Sequence, residues 1–372
     1  MTEKEFLEDL KPSFNHRENL AKKIKSHNLP VIIFGAAEMA KQVTEELKKF
    51  GVEVSGYAVD EKYFKPDKTY LGLPIFNFDE LRRTPEKYVF VLGIGNKSDP
   101  SGKRALDFKN DSAITKYTIL EVYTSWIDYS FIEKNQISFF ETYKLLSDDL
   151  SKKTMKAYLK AQLSDELSEI DALSQPNEYF NCLTSTVLSS GGVGFIDCGA
   201  YNGDTLEKFI NFVGGDYKKI FAFEFETENF EKLKNLVQEK NYKNVELLNC
   251  GVWNEKKVLT FTRVAGSGNS KISNDGEVIA KVDTIDNIVG EEKIDFIKMD
   301  IEGSELNALK GAKKTLERCK PALAISVYHK KEDLITIPQF LKEIYKGSRF
   351  YLRQHYNGPI YLLCDLDLYV IP

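Results

Sequence analysis

A chain of 372 residues exceeds what one ordinary hydrophobic core organises, so two domains are expected, and 42% apolar residues suffice to fill both cores. Lysine and arginine total 51 against 56 aspartates and glutamates, a formal net charge of −5 without a long basic run, which argues against nucleic acid or an acidic membrane surface as partner. Cys182, Cys198, Cys250, Cys319 and Cys364 contain no CxxC pair and read as reduced, buried thiols. The charged start MTEKEFLEDLKP and the lack of any apolar run of spanning length point to a soluble cytoplasmic protein.

Residues 1–28 read as amphipathic helices with Leu7, Leu10, Phe14, Leu20 and Ile24 at helical spacing. PVIIFG at 30–35 is a buried strand, AAEMAKQVTEELKKF a helix, and VEVSGYAVD a second strand that ends at Asp60. LGLPIF, FDELRRTP and YVFVLGIGN continue the alternation into a small parallel sheet, which ITKYTILEVYTS from 114 closes. Gly35 follows its strand and Asp60 lies where a ribose acid would sit, but GAAEMA carries alanines where GxGxxG needs glycines. A dinucleotide or nucleotide-sugar site is one reading; a Rossmann-like domain that keeps the fold without the ligand is the other, and the missing glycines favour it.

The charged stretch ETYKLLSDDLSKKTMKAYLKAQLSDELSEIDALS has apolar residues every three or four positions, so it reads as helices with solvated charged faces. QPNEYF at 175–180 marks a loop in which Tyr179 and Phe180 either overhang a site or simply pack.

FIDCGAYNGDT at 195–205 then gives a strand, a glycine turn and a helix start. Gly199 and Gly203 permit close approach of a ligand, and free N–H groups at the helix start offer donors. Glu224 closes the next apolar run, twenty-one residues after Gly203, the place of an acid for ribose hydroxyls. GAYNG has Tyr201 where a dinucleotide turn has glycine. That suits a nucleoside cofactor without phosphate, S-adenosylmethionine. A bare strand-to-helix connection is the competing reading.

ENFEKLKNLVQEK follows as a helix, VELLNCGVW and VLTFTRV as strands, IDFIKMDIEG as a strand running into one helix over SELNALKGAKKTLERC, and PALAISVYH as the next strand. RFYLRQHY at 349–356 and DLDLYVIP at 365–372 form a closing hairpin. Five parallel strands with an antiparallel ending are the methyltransferase arrangement, which Rossmann dehydrogenases lack.

Over about residues 186–372 the chain resembles the FkbM family of S-adenosylmethionine-dependent methyltransferases, through FIDCGAYNGDT, FAFEFE, VDTIDNI and above all FIKMDIEGSELNALKGAKKTLERCKPALAIS. The resemblance implies an α/β class I methyltransferase sheet, Rossmann-like, with an antiparallel last strand, and O-methylation of a hydroxyl on a carbohydrate or small metabolite. It maps the cofactor site onto Asp197, Gly199, Ala200, Gly203, Asp204, Thr205, Glu224, Phe225, Gly251, Val252 and Asp300, with Asn249–Trp253 near adenine. Phe225 stands where many relatives have proline. Domains at 1–125 (Rossmann-like), 126–185 (helical cover) and 186–372 (methyltransferase) follow; whether the chain forms a homo-oligomer is left open.

A sulfonium methyl is already activated, so the protein must align an oxygen and move a proton. Asp300, Glu302, His329 and His355 fall at predicted strand ends, where open α/β sheets place such groups. Either imidazole suits a general base. The bland alternative has Asp300 and Glu302 bracing a helix start and the histidines as satisfied polar groups. A divalent cation at Asp300 and His329 is the weaker alternative, and no metal is expected.

Overall fold

The computed structural model describes residues 2–11, 16–94, 103–114, 118–119, 127–164, 168–263, 270–272, 278–355 and 363–372. Tyr356 and most of the expected strand over 114–125 lie outside them. Two compact units result, one built mainly from Met1–Lys134 and Ala157–Glu169, the other from Asn135–Lys156, Ile170–Tyr356 and Leu363–Pro372. Among the described residues no helix is long and apolar enough to cross a membrane.

In the first unit, Val31–Phe34 is an unbroken apolar run buried along its whole length, as a strand covered on both faces must be. It is central in a sheet ordered Thr69–Tyr70, Leu73–Asn77, Gly56–Val59, Val31–Phe34, Val89–Leu92, Thr118–Ile119. Every pairing is parallel except the hairpin at its Thr69–Tyr70 edge. Helix Glu38–Lys49 buries Ala40, Val43 and Leu47 on one stripe, the 3.6-residue period at work.

The second unit holds β1 (Val193–Cys198), β2 (Tyr217–Phe223), β3 (Val245–Leu248), β4 (Phe296–Met299), β5 (Ala322–Ser326), β6 (Arg349–Gln354) and β7 (Leu366–Ile371) in the order β6-β7-β5-β4-β1-β2-β3. β1 to β5 are parallel, and β7 runs antiparallel to both β5 and β6, as the sequence predicts. Strand order reverses between β1 and β4, so the crevice of this sheet opens at their carboxyl ends. Phe195, Phe209, Phe296 and Phe180 pack beneath it, with the Phe195 and Phe209 rings stacked at 4.2 Å.

The free edge of β6 is covered by the helical segment. Phe350 and Leu352 donate their N–H groups to the Oγ atoms of Ser147 and Ser151 at 2.9 and 3.0 Å, and Gln175 N–H donates to Gln354 O at 2.8 Å. Arg353 adds an ion pair to Asp148 at 2.6 Å. An edge strand so occupied offers no template for another chain.

Two segments depart from the sequence reading. VELLNCGVW divides into β3 and the short strand Gly251–Val252, which pairs with Val278–Asp283 in a separate four-stranded sheet that also contains Lys257–Arg263. The expected single helix after β4 is two, Glu305–Gly311 and Lys313–Cys319. It restarts because the Asp286 carboxylate caps the second helix, accepting the N–H groups of Lys314 and Thr315 at 3.0 and 2.8 Å. At the break, a Cβ on Gly311 would stand 2.0 Å from the carbonyl oxygen of Trp253.

That contact reverses the ordinary effect of a helical glycine. Propensity alone makes Gly311→Ala stabilising by about 1 kcal/mol; the clash makes it destabilising by about 1–3 kcal/mol, which urea denaturation of the two proteins measures.

Candidate active site

The turn after β1 is built from left-handed residues: Gly199, Tyr201 and Gly203 have φ of 81°, 47° and 92°. The two glycines are required from inside the protein. A Cβ at Gly199 would lie 2.0 Å from Asp300 O, and one at Gly203 would lie 2.5 Å from Leu236 Cδ2. Within the turn that precedes the helix, most N–H groups are already bonded. Gly199 and Ala200 donate to Phe223 O, Gly203 to Ala200 O, and Asp204 to Asn202 Oδ1. The turn is therefore no phosphate cradle.

Glu224, at the tip of β2, ties into the same turn. Its Oε2 accepts the N–H of Tyr201 at 2.9 Å and its Oε1 that of Glu226 at 2.8 Å. Burial pushes this carboxyl up to about 7 against those bonds. Asn249 Nδ2 donates to Glu224 O at 2.9 Å, which brings the end of β3 alongside. Phe225 stacks on Phe261 at 4.5 Å, and Gly251 passes beside Phe225. Val252 is turned into the small sheet, 4% exposed. Ala200 and Thr205 are buried, while Asp204 is exposed and pairs with Lys208 at 3.4 Å.

Asp197, the last acid of β1, is fully buried, and neither of its oxygens has a hydrogen-bond partner. Its counter-charge is Lys298 of β4, whose Nζ lies 3.3 Å away and donates to Gly199 O at 2.8 Å. Burial raises the Asp197 carboxyl to about 6, against the opposing pull of the Lys298 ammonium. Sequence reasoning missed Lys298. The signal was present, an ammonium inside the apolar run FIKM.

Asp300 and His329 are brought together. The backbone turns through left-handed Glu302 and Gly303, with φ of 56° and 90°, and the 300–304 loop is held to the next one by Lys330 Nζ donating to Gly303 O. His329 Nε2 then lies 3.4 Å from Asp300 Oδ1, and its Nδ1 lies 2.9 Å from Glu305 Oε1. Burial works against protonation of this imidazole, but Glu305 and Asp300 outweigh it and hold the ring up to about 10. Glu305 was also missed. An acid in the first turn of a helix reads as a cap, and only the fold shows that it faces an imidazole.

Tyr179 completes the wall, its Oη donating to Asp300 Oδ2 at 3.3 Å. Its own φ is 62°, strained for a bulky residue, and its N–H donates to Tyr369 Oη at 3.0 Å. Phe180 is a core residue against Phe195 and Phe209. Packing thus describes Phe180, while Tyr179 is buried as well and reaches Asp300 with its hydroxyl.

His355 is not part of the Asp300 group. Its Nδ1 lies 2.9 Å from Gln175 O and its Nε2 2.8 Å from Tyr369 Oη. A carbonyl only accepts, so Nδ1 carries the proton and Nε2 accepts from tyrosine. Both nitrogens are engaged, and burial lowers this imidazole to about 4. In the first unit, Gly35 has φ of 126° and abuts Gly93 O. Asp60 is engaged by Arg104, through Nη2 at 2.6 Å and Nε at 3.0 Å. The acid on which a dinucleotide site would depend is thus held by a guanidinium.

The sheet order and antiparallel β7, with an acid-tipped β2 beside a glycine turn, define the class I methyltransferase fold. Residues 197–350 match the methyltransferase FkbM domain, so that part of the chain is similar to the FkbM methyltransferases. The crystal structure of methyltransferase FkbM from Methylobacillus flagellatus KT shares this fold at 23% identity and a TM-score of 0.73, covering 99% of this chain and 98% of that one. An rRNA methylase from Streptococcus thermophilus is 18% identical with a TM-score of 0.32 and covers 50% of this chain and 92% of its own. A SAM dependent methyltransferase from Aquifex aeolicus is 16% identical with a TM-score of 0.29 and covers 55% and 97% respectively. No curated protein matches the sequence.

The seat of His355 has a consequence for stability. Its pKa falls from 6.5 unfolded to about 4 folded, so the unfolded chain binds the extra proton between those values. The stability tied to its neutral form is complete above pH 6.5 and is lost as pH falls toward 4. Over that window the parent should lose up to about 3 kcal/mol more than His355→Gln, read from urea denaturation at successive pH values.

Proposed function

We propose that this methyltransferase is S-adenosylmethionine-dependent and O-directed, acting on a hydroxyl of a carbohydrate or similar small metabolite. The observation that carries the reading is the bond from Tyr201 N–H to Glu224 Oε2, which makes the ribose acid and the glycine turn one ledge beside the switch point. A carboxylate offers roughly four lone-pair sites; two backbone N–H groups occupy part of them, and the remainder suit ribose hydroxyls. A turn whose N–H groups are mostly bonded within the protein suits a ligand without phosphate. Phe225 and Gly251 border the adenine end in this reading, and the Asp197–Lys298 pair underlies the methionine end.

S-adenosylmethionine supplies an activated sulfonium methyl when bound. The chain's own task is alignment of the acceptor oxygen, an effect that can supply roughly 7–11 kcal/mol. Asp300, its side chain 29% exposed at the tip of β4, faces that task with His329 and Tyr179 around it. These groups hydrogen-bond hydroxyls, which supports an oxygen acceptor of carbohydrate type. Glu302 shapes the loop that carries Asp300. His355 acts at one remove, as a positioning residue for the Tyr179 segment.

Isothermal calorimetry should show binding of both S-adenosylmethionine and S-adenosylhomocysteine; binding of neither removes the reading. Glu224→Ala should weaken both by at least about tenfold, or 1.4 kcal/mol. His329→Ala should keep cofactor affinity and lower turnover on an accepted substrate by about a hundredfold. Unchanged turnover in that variant would clear His329 of any part in the reaction.

A further inference from the structure

The two sides of His329 differ. Toward Glu305 the contact is an ordinary hydrogen bond of 2.9 Å, and that acid is fixed. It is fully buried, its Oε1 also accepts the N–H groups of Ile301 and Gly303, and its Oε2 is buried without a hydrogen-bond partner. Toward Asp300 the separation is 3.4 Å, and Asp300 meets Tyr179 Oη at 3.3 Å. Both exceed the roughly 2.7–2.9 Å of a charge-assisted hydrogen bond.

We propose that Asp300 and His329 Nε2 ligate a divalent cation on the acceptor side of the crevice, the ion displacing to solvent the proton that Nε2 otherwise carries, with Glu305 as the outer carboxylate that orients the imidazole. The proposal rests on the methyl-transfer reading for what the ion would serve, since an oxygen bound to such an ion becomes more acidic. Metal-ligating histidines generally give their other ring N–H to a carboxylate, which is the Glu305 contact. Two ligands each about 2.1 Å from a common ion at the tetrahedral angle stand about 3.4 Å apart, the observed span from Nε2 to Oδ1. One ligand atom from each of Asp300, Glu305 and His329 falls within 4.8 Å of the others. These distances reverse the weighting that the sequence alone favours. A carboxylate with an imidazole suits Mn²⁺, Fe²⁺ or Zn²⁺ better than Ca²⁺ or Mg²⁺.

Titration of the full chain with Mn²⁺, followed by loss of the free-ion paramagnetic resonance signal, should show one saturable site. Asp300→Asn and His329→Gln should each weaken it about a hundredfold, and Glu305→Gln about 10- to 100-fold. Variants that bind Mn²⁺ like the parent overturn the proposal. A Co²⁺ titration of the unmodified chain depends on no variant folding. Saturable visible bands from a nitrogen- and oxygen-ligated ion support the site, and their absence overturns it. Calorimetry with S-adenosylmethionine on the same sample separates the two readings: cofactor binding without Co²⁺ binding sinks the cation alone, and the converse sinks methyl transfer while the cation site stands.

Discussion

An ammonium group buried in the middle of a parallel sheet sets the geometry of the crevice. Lys298, 2% exposed, has Asp197 at 3.3 Å and donates to Gly199 O and Cys198 O at 2.8 and 3.3 Å. Neither charge is tolerable alone in such a place; removing one partner of a buried pair typically costs about 3–5 kcal/mol. Against burial, Asp197 and Asp300 hold the lysine above its usual range. Through its two carbonyl bonds, β4 therefore fixes where β1 ends and where the turn toward Glu224 begins. The contact between Gly199 and Asp300 O follows from the same registration, and only a residue without a Cβ fits there.

From that fixed point the two imidazoles take opposite roles. His329 sits among carboxylates and is driven toward its charged form, whereas His355 sits between a carbonyl and a tyrosine hydroxyl and is driven toward its neutral one. The chain gives them similar local signatures, a histidine beside a tyrosine near a strand end. Their difference comes from partners far away in sequence: Glu305 for one, Gln175 and Tyr369 for the other. Local pattern locates a titratable group at a strand tip, but its charge state is a property of the packed fold.

The same division runs through the rest of the molecule. Apolar runs and glycine turns made the alternating strands and helices legible, and the hairpin signal after β5 identified the antiparallel ending. The place of Glu224 beside the glycine turn was legible because that spacing has a geometric cause. The break at Gly311 was not, since helix periodicity continues through it and the obstacle is the carbonyl of Trp253. The small sheet was equally hidden, because a strand's period does not say which sheet it joins. Lys298 and Glu305 were passed over for a related reason: a lone charge in an apolar strand, or an acid at a helix start, acquires meaning only from the group it faces.

The antiparallel ending does more than mark the fold class. Tyr369 of β7 gives its hydroxyl proton to His355 and accepts the N–H of Tyr179. His355 in turn donates to Gln175 O, and Gln175 N–H bonds to Gln354 O of β6. The 175–179 segment is thus clamped at both ends to the closing hairpin, which holds Tyr179 in its left-handed conformation, at a cost of order 1–3 kcal/mol. Released, that backbone would relax and carry the phenol away from Asp300. The hairpin that distinguishes this sheet from a dehydrogenase sheet is in this way also the scaffold of the Tyr179 segment beside Asp300, and changes in β6 or β7 reach the Asp300 group through Tyr179 without touching it.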